Sequence, residues 1–188
     1  LHYCQNLTKT GLLELLSKCS ATLKDLNLSE TNICGEGLES LSVLKLEKLN
    51  LNSCRKLTNA GLLELLGKCS AMLADFNLSE TTISGEGLEG LPVLKLEKLN
   101  LNGCRNLTNA GLLELLGKCS ATLKDFDLSR TEISEEGLED LPVLNLEKLN
   151  LTACFRLTNI CLLQFIGKCS ATLKDLTLSE TTISGEGL

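Results

Sequence analysis

An α/β solenoid is expected from this sequence: a horseshoe-shaped stack of coils with a parallel sheet on the concave side and helices on the convex side. Two observations carry the expectation. Residues 51–100 and 101–150 align without a gap and differ at ten of fifty positions, and residues 1–50 and 151–188 fit the same frame. A chain that repeats itself at a fixed period makes one structural unit several times and stacks the copies. The second observation is a change of hydrophobic period inside each unit, from the alternation of a strand to the 3.6-residue spacing of a helix.

Each 50-residue unit has a 27-residue part, residues 46–72 in one copy, and a 23-residue part, residues 73–95. Leu46, Leu49 and Leu51 open the first, and Leu73, Phe76 and Leu78 the second. The alternating pair in each is a strand with one buried face. In the long part, Leu62, Leu63, Leu65, Leu66 and Cys69 then fit one face of a helix, with Thr58 as its N-cap. In the short part, Ser84 is placed to cap one or two helical turns through Leu88 and Leu91, ended by Pro92. So short a strand cannot bury its face alone. Stacked side by side, the strands form a continuous sheet that helices cover. Helices are wider than strands, so the stack curves with the sheet inside. One domain over residues 1–188 results, with about eight repeats when a truncated one at Leu1 is counted. Phe76, Phe126 and Phe165 stand in leucine positions and belong to the core.

The stretch LEKLNLNSCRKLTNAGLLELLGKC resembles the cysteine-containing leucine-rich repeat, L-x-x-L-x-L-x-x-C-x-x-L-T-x-x-G-L-x-x-L-x-x-x-C. The match recurs at Cys54/Cys69, Cys104/Cys119 and Cys154/Cys169, and in part at Cys4/Cys19, with one 15-residue separation throughout. The short part resembles a shorter leucine-rich repeat in which Thr31, Thr81, Thr131 and Thr181 take the cysteine position. The resemblance covers essentially the whole chain. It implies a protein-binding array; in that family, cysteine-rich arrays are typical of F-box substrate receptors of ubiquitin ligases, and related arrays sense ligands in immune receptors. No F-box, nucleotide-binding or death-type segment accompanies the repeats in these 188 residues.

Ten cysteines suggest disulfides at first sight. Like columns recur every second strand, however, at roughly 10 Å, whereas a disulfide needs Cα atoms within about 7 Å. The eight cysteines of the two repeat columns are therefore expected as buried thiols that pack as small hydrophobes and donate to a neighbouring turn. Cys34 and Cys161 are unpaired singletons. No metal or other cofactor is expected, because the regular array does not gather ligands. Unpaired thiols point to a reducing, cytoplasmic setting, and LHYCQNLTKT has no signal-peptide pattern. No apolar run spans a membrane.

Catalysis fits poorly: the one histidine, His2, lies at the edge, and every carboxylate, lysine and thiol recurs on a lattice. Glu14, Glu64 and Glu114, like Glu36, Glu86, Glu136 and Glu186, read as solvated faces. The net charge of −6 and the lack of a basic stripe argue against nucleic acid. A protein partner is left, with two candidate surfaces. The concave floor carries Asp25, Lys48, Asp75, Lys98, Asp125, Lys148 and Asp175 in one column; Asn27, Asn50, Asn77, Asn100, Asp127, Asn150 and Thr177 in the next; and Ser29, Asn52, Ser79, Asn102, Ser129, Thr152 and Ser179 in a third. It serves either as a polar binding floor or as a ladder satisfied by its own Asp–Lys and Asn–Asn neighbours. The rim gathers most differences between copies: Glu30, Glu80, Arg130 and Glu180 with Asn32, Thr82, Glu132 and Thr182, and Tyr3, Ser53, Gly103 and Ala153 with Gln5, Arg55, Arg105 and Phe155. Drift on tolerant loops explains these differences as well as binding does. Phe155 stands where other copies have Gln or Arg, so its ring is expected at the surface, where it is able to anchor a partner. The terminal coils lack neighbours and are expected to self-associate. A structural or engineered array selected for regularity alone is the remaining alternative.

Overall fold

The leucine ladder places seven strands in one parallel sheet, in sequence order, in a computed structural model of the chain. The structure describes residues 1–37, 42–69, 72–134, 140–169 and 171–185. The strands are β1 (Asp25–Asn27), β2 (Lys48–Asn50), β3 (Asp75–Asn77), β4 (Lys98–Asn100), β5 (Asp125–Asp127), β6 (Lys148–Asn150) and β7 (Asp175–Thr177). Their register is uniform: Leu49 sits between Leu26 and Phe76, and Leu99 between Phe76 and Phe126. A slip by one residue would turn the whole ladder to solvent, so burial sets the register. Phe76, Phe126 and Phe165 are buried, as expected.

The helices α1 (Lys9–Cys19), α2 (Asn59–Lys68), α3 (Asn109–Cys119) and α4 (Asn159–Cys169) follow in the long coils. Thr58 is the N-cap: its Oγ1 accepts from the Gly61 N–H at 2.9 Å, as Thr8 and Thr108 do from Gly11 and Gly111. Leu62, Leu65, Leu66 and Cys69 are buried, and Leu63 packs half-buried against them.

The short coil departs from the expectation. Between Ile83 and Pro92 the chain makes turns, not a helix. The Ser84 hydroxyl accepts from the Glu86 N–H, two residues on, at 3.3 Å and from the Asn59 amide at 2.7 Å, neither of which is a helix cap at the third residue. Gly85 and Gly87 take φ of +82° and +76°, a left-handed conformation in which a right-handed helix cannot grow. The matching stretches 38–41 and 135–139 lie outside the described residues, as do Glu136 and Glu186.

These turn segments press against the following helices. Thr58 and Thr108 donate their N–H to the carbonyls of Cys34 and Ser84 at 3.2 and 3.1 Å. A Cβ on Gly61 would fall 1.9 Å from the Cys34 oxygen, and one on Gly111 2.1 Å from the Ser84 oxygen. Three of the glutamates expected to face solvent are used here. Glu64 accepts from the Gly37 N–H and Glu114 from the Leu88 N–H, both at 2.7 Å. Glu36 likewise accepts from the Thr58 hydroxyl at 2.6 Å. Glu14 stays exposed.

The two kinds of coil lock together through their special columns. Cys54, Cys104 and Cys154 donate Sγ–H to the carbonyls of Leu28, Leu78 and Leu128 at 3.0, 3.1 and 3.2 Å. Thr31, Thr81 and Thr131 donate to the same three carbonyls at 2.7, 2.7 and 2.6 Å. Cys69, Cys119 and Cys169 donate instead to the carbonyl four residues back in the adjoining helix, those of Leu65, Leu115 and Phe165. Burial pushes the Cys69 and Cys119 thiols up to about 12. None of the ten cysteines is joined in a disulfide. Cys4 is exposed and Cys19 half-buried, contrary to the expectation for all eight, because among the described residues no coil packs over their outer side.

Candidate binding site

Asp75, Lys98, Asp125 and Asp127 line a concave groove of about 280 Å³, while Lys48 and Lys148 lie outside it. The expected Asp–Lys ladder does not form: among the described residues no ion pair within 4 Å involves Asp25, Lys48, Asp75, Lys98, Asp125, Lys148 or Asp175. A short Asp beside a long Lys leaves the two charged ends at different heights. The pairing runs one column earlier, where Glu reaches one methylene further than Asp: Lys24–Glu47 at 2.6 Å, Glu97–Lys124 at 3.2 Å and Glu147–Lys174 at 2.8 Å. Ala74 interrupts this column.

The Asn column also behaves differently from expectation. The Oδ1 atoms of Asn27, Asn50, Asn77, Asn100, Asp127 and Asn150 each accept the backbone N–H two residues ahead, at 2.8–3.0 Å. An Asn or Asp that bonds its own backbone two residues on makes a local turn. Lateral bonds come mainly from the third column, where Asn52 donates to Ser79 at 2.6 Å and Asn102 to Ser129. The floor is thus occupied with holding its own backbone.

At the edge where the strands begin lies a depression of about 630 Å³ lined by Glu97, Lys124, Asn145, Glu147, Thr172 and Lys174 among others. Sequence reasoning missed it, although the alternation Lys24, Glu47, Glu97, Lys124, Glu147, Lys174 was there to read. Its charges answer one another: the Lys174 ammonium holds the Glu147 carboxyl below the usual range.

At the edge where the strands end, the turns present the rim columns. Glu30, Ser53, Glu80, Arg130 and Ala153 adopt φ of 55–57°, and Gly103 +69°. Each donates its N–H to the next coil: Glu80 to Asn102, Gly103 to Ser129, Arg130 to Thr152 and Ala153 to Ser179, all at 2.7–2.8 Å. This backbone ladder holds the rim side chains in fixed directions.

Phe155 is 62% exposed there, as expected. It lines a depression of about 180 Å³ with Arg105, Arg130, Glu132, Ala153 and Glu180. Arg130, Glu132 and Phe155, named separately from sequence, are thus brought together. A neighbouring depression of about 270 Å³ is lined by Arg55, Glu80, Thr82, Gly103, Arg105 and Asn106 among others, and shares Arg105 with the first. Arg156 lies 3.9 Å from Glu132. Among the described residues no carboxylate lies within 4 Å of Arg55, Arg105 or Arg130.

His2 Nδ1 lies 2.5 Å from Ser29 Oγ, and that hydroxyl donates to the Asn27 amide oxygen at 2.6 Å. The serine is buried and its further partner is an amide, so the arrangement does not activate a nucleophile. Among the described residues no group of three or more His, Cys, Asp or Glu could hold a metal ion, and no helix is long and apolar enough to cross a membrane.

Residues 19–42, 44–66, 94–116 and 119–141, about half the chain, match the family model described as Leucine Rich repeat. The matches at 44–66 and 94–116 stand one 50-residue period apart and take in β2, Thr58 and most of α2, and β4, Thr108 and most of α3. No curated protein matches the chain. With four matched repeats and seven parallel strands joined in order through α-helices and turns, the chain belongs to the leucine-rich repeat family, a fold that generally serves interaction rather than catalysis.

Proposed function

We propose that this chain is a non-catalytic protein-recognition module of a cytoplasmic protein, and that it contacts its partner through the rim around Phe155. The observation that carries this reading is the exposed ring set beside Arg105 and Arg130 in one depression. Aromatic and arginine side chains are the usual anchors of protein interfaces. The depression, at about 180 Å³, is smaller than the roughly 300–1,000 Å³ of small-molecule sites. It suits one side chain of a partner. The concave floor has no such anchor and its Asn side chains are committed to backbone N–H groups. Ten cysteines outside any disulfide support the reducing compartment.

Selection of a displayed random-peptide library on the wild-type chain tests the reading. Clones that bind the wild type should fall by about tenfold or more on Phe155→Ser and keep binding Lys98→Ala. Clones lost on Lys98→Ala and kept on Phe155→Ser would move the site to the concave floor. An absence of clones sensitive to Phe155 would overturn the rim reading.

A further inference from the structure

We infer that the partner segment is acidic and extended, with a carboxylate three residues from an aromatic side chain; the inference rests on the rim reading above and adds the chemistry of the ligand.

The argument begins with charge. Arg55, Arg105 and Arg130 have no carboxylate within 4 Å among the described residues, although the chain carries six more negative than positive charges. The acidic groups nearby do not pair with these three guanidiniums. Glu132 pairs with Arg156 at 3.9 Å. The Glu80 carboxylate lies over Gly103, its Oε1 only 2.7 Å from where a Cβ would stand, so the absence of a side chain at Gly103 makes room for it. Glu180 closes the far side of the Phe155 depression. Unanswered guanidiniums remain along the middle of the rim, and a carboxylate is their best-matched ligand, since the planar fork takes it in two parallel hydrogen bonds.

The two depressions divide the task. One has two guanidiniums, Arg55 and Arg105, against the single carboxylate of Glu80 in its lining, and has no apolar side chain of size. The other has Phe155 above buried Ala153. A carboxylate belongs in the first and a ring against Phe155 in the second, where offset or edge contact between rings adds to the burial.

Geometry then sets the spacing. The depressions occupy equivalent places in successive 50-residue units, two strand positions apart. At about 4.8 Å per strand this is roughly 10 Å. A polyproline-II segment has three residues per turn and rises about 3.1 Å per residue, so side chains at i and i+3 share a face about 9.3 Å apart. A β-strand offers about 6.8 Å or 13.6 Å on one face and fits neither. An α-helix reaches the distance only at seven residues.

The same selection, read for sequence, tests this. Clones lost on Phe155→Ser should be enriched in an Asp or Glu three positions from Phe, Tyr or Trp, and should fall by about tenfold or more on Arg105→Glu. A synthetic peptide of an enriched clone, with its acidic residue changed to Lys, should prefer the Arg105→Glu chain over the wild type. Both substituted side chains are exposed, so unchanged melting temperatures should accompany the losses. Clones that need Phe155 but carry neutral or basic residues, or a seven-residue spacing, would overturn the inference and leave the rim reading standing. No clone sensitive to Phe155 would overturn both.

Discussion

Glycine shows how position, not residue type, decides a side chain's effect. Gly111 and Gly117 both lie in α3. At Gly111 an added Cβ would meet the Ser84 carbonyl oxygen at 2.1 Å, and backbone there cannot yield cheaply. At Gly117 it would meet nothing within 4 Å. Gly111→Ala should therefore destabilise by more than about 1 kcal/mol, whereas Gly117→Ala should stabilise by about 0.5–1 kcal/mol through helix propensity. Urea denaturation of both variants checks the pair; equal signs would contradict the close approach. The fourth copy departs from the rule in a way the sequence half explains. Cys161 stands in the Gly61 and Gly111 column, buried, with Sγ 3.8 Å from the Ser134 carbonyl. In the sequence, Glu135 stands where the other copies have Gly35 and Gly85, so the two glycine columns change together.

The short turn segments and the helices depend on each other more than the hydrophobic pattern suggests. A turn has few hydrogen bonds of its own, and Glu64 and Glu114 supply acceptors for it from the next helix. Leaving such an N–H without its acceptor costs about 1–3 kcal/mol. Glu114→Ala is expected to lower stability by that order, while Glu14→Ala, whose side chain is exposed, should stay within about 0.5 kcal/mol of the parent. Equal unfolding midpoints for the two variants would show that the Leu88 contact contributes nothing. Both glutamates sit at one position of one repeat, so periodicity reads them alike. Only the presence or absence of a neighbouring turn separates them.

The assembled stack makes its thiols sensitive to alkali. Burial raises Cys54, Cys69, Cys104, Cys119, Cys154 and Cys169. A folded value above the ordinary 9.0 means that the contribution is complete below pH 9 and is lost as pH rises towards the folded value, about 12 for Cys69 and Cys119. Each such thiol should cost about 1.4 kcal/mol per pH unit in that window. Urea midpoints from pH 8 to 11 should fall more steeply for the parent than for Cys69→Ala with Cys119→Ala; identical slopes would refute the burial. The ends of the stack lead to a second expectation. Leu163 and Leu176 are partly exposed on the last coils, so apolar contact favours association there. Parallel stacking of a second copy on β7 in register would set Lys24 against Lys174 and Asp25 against Asp175, which opposes a head-to-tail array. Association, where it occurs, should thus join two last coils. Sedimentation of a Leu163→Lys, Thr177→Lys variant should show monomer only, and a surviving dimer would place the contact elsewhere.

The strands, their register, the long-coil helices and the inward Cys and Thr columns were legible from the chain because each follows from a repeated apolar spacing, and burial admits only one face for it. The exposed ring of Phe155 was legible for the converse reason, as an apolar residue in a polar column. Three things were not. The short coil's lack of a helix depends on left-handed glycines whose conformation packing selects. The shift of the charge ladder by one column depends on the heights at which neighbouring side chains end. The meeting of Arg105, Arg130 and Phe155 depends on residues 25 and 50 positions apart being brought side by side by the stacking of coils. Local periodicity fixes which way a residue faces, but only the stacked coils fix what it faces.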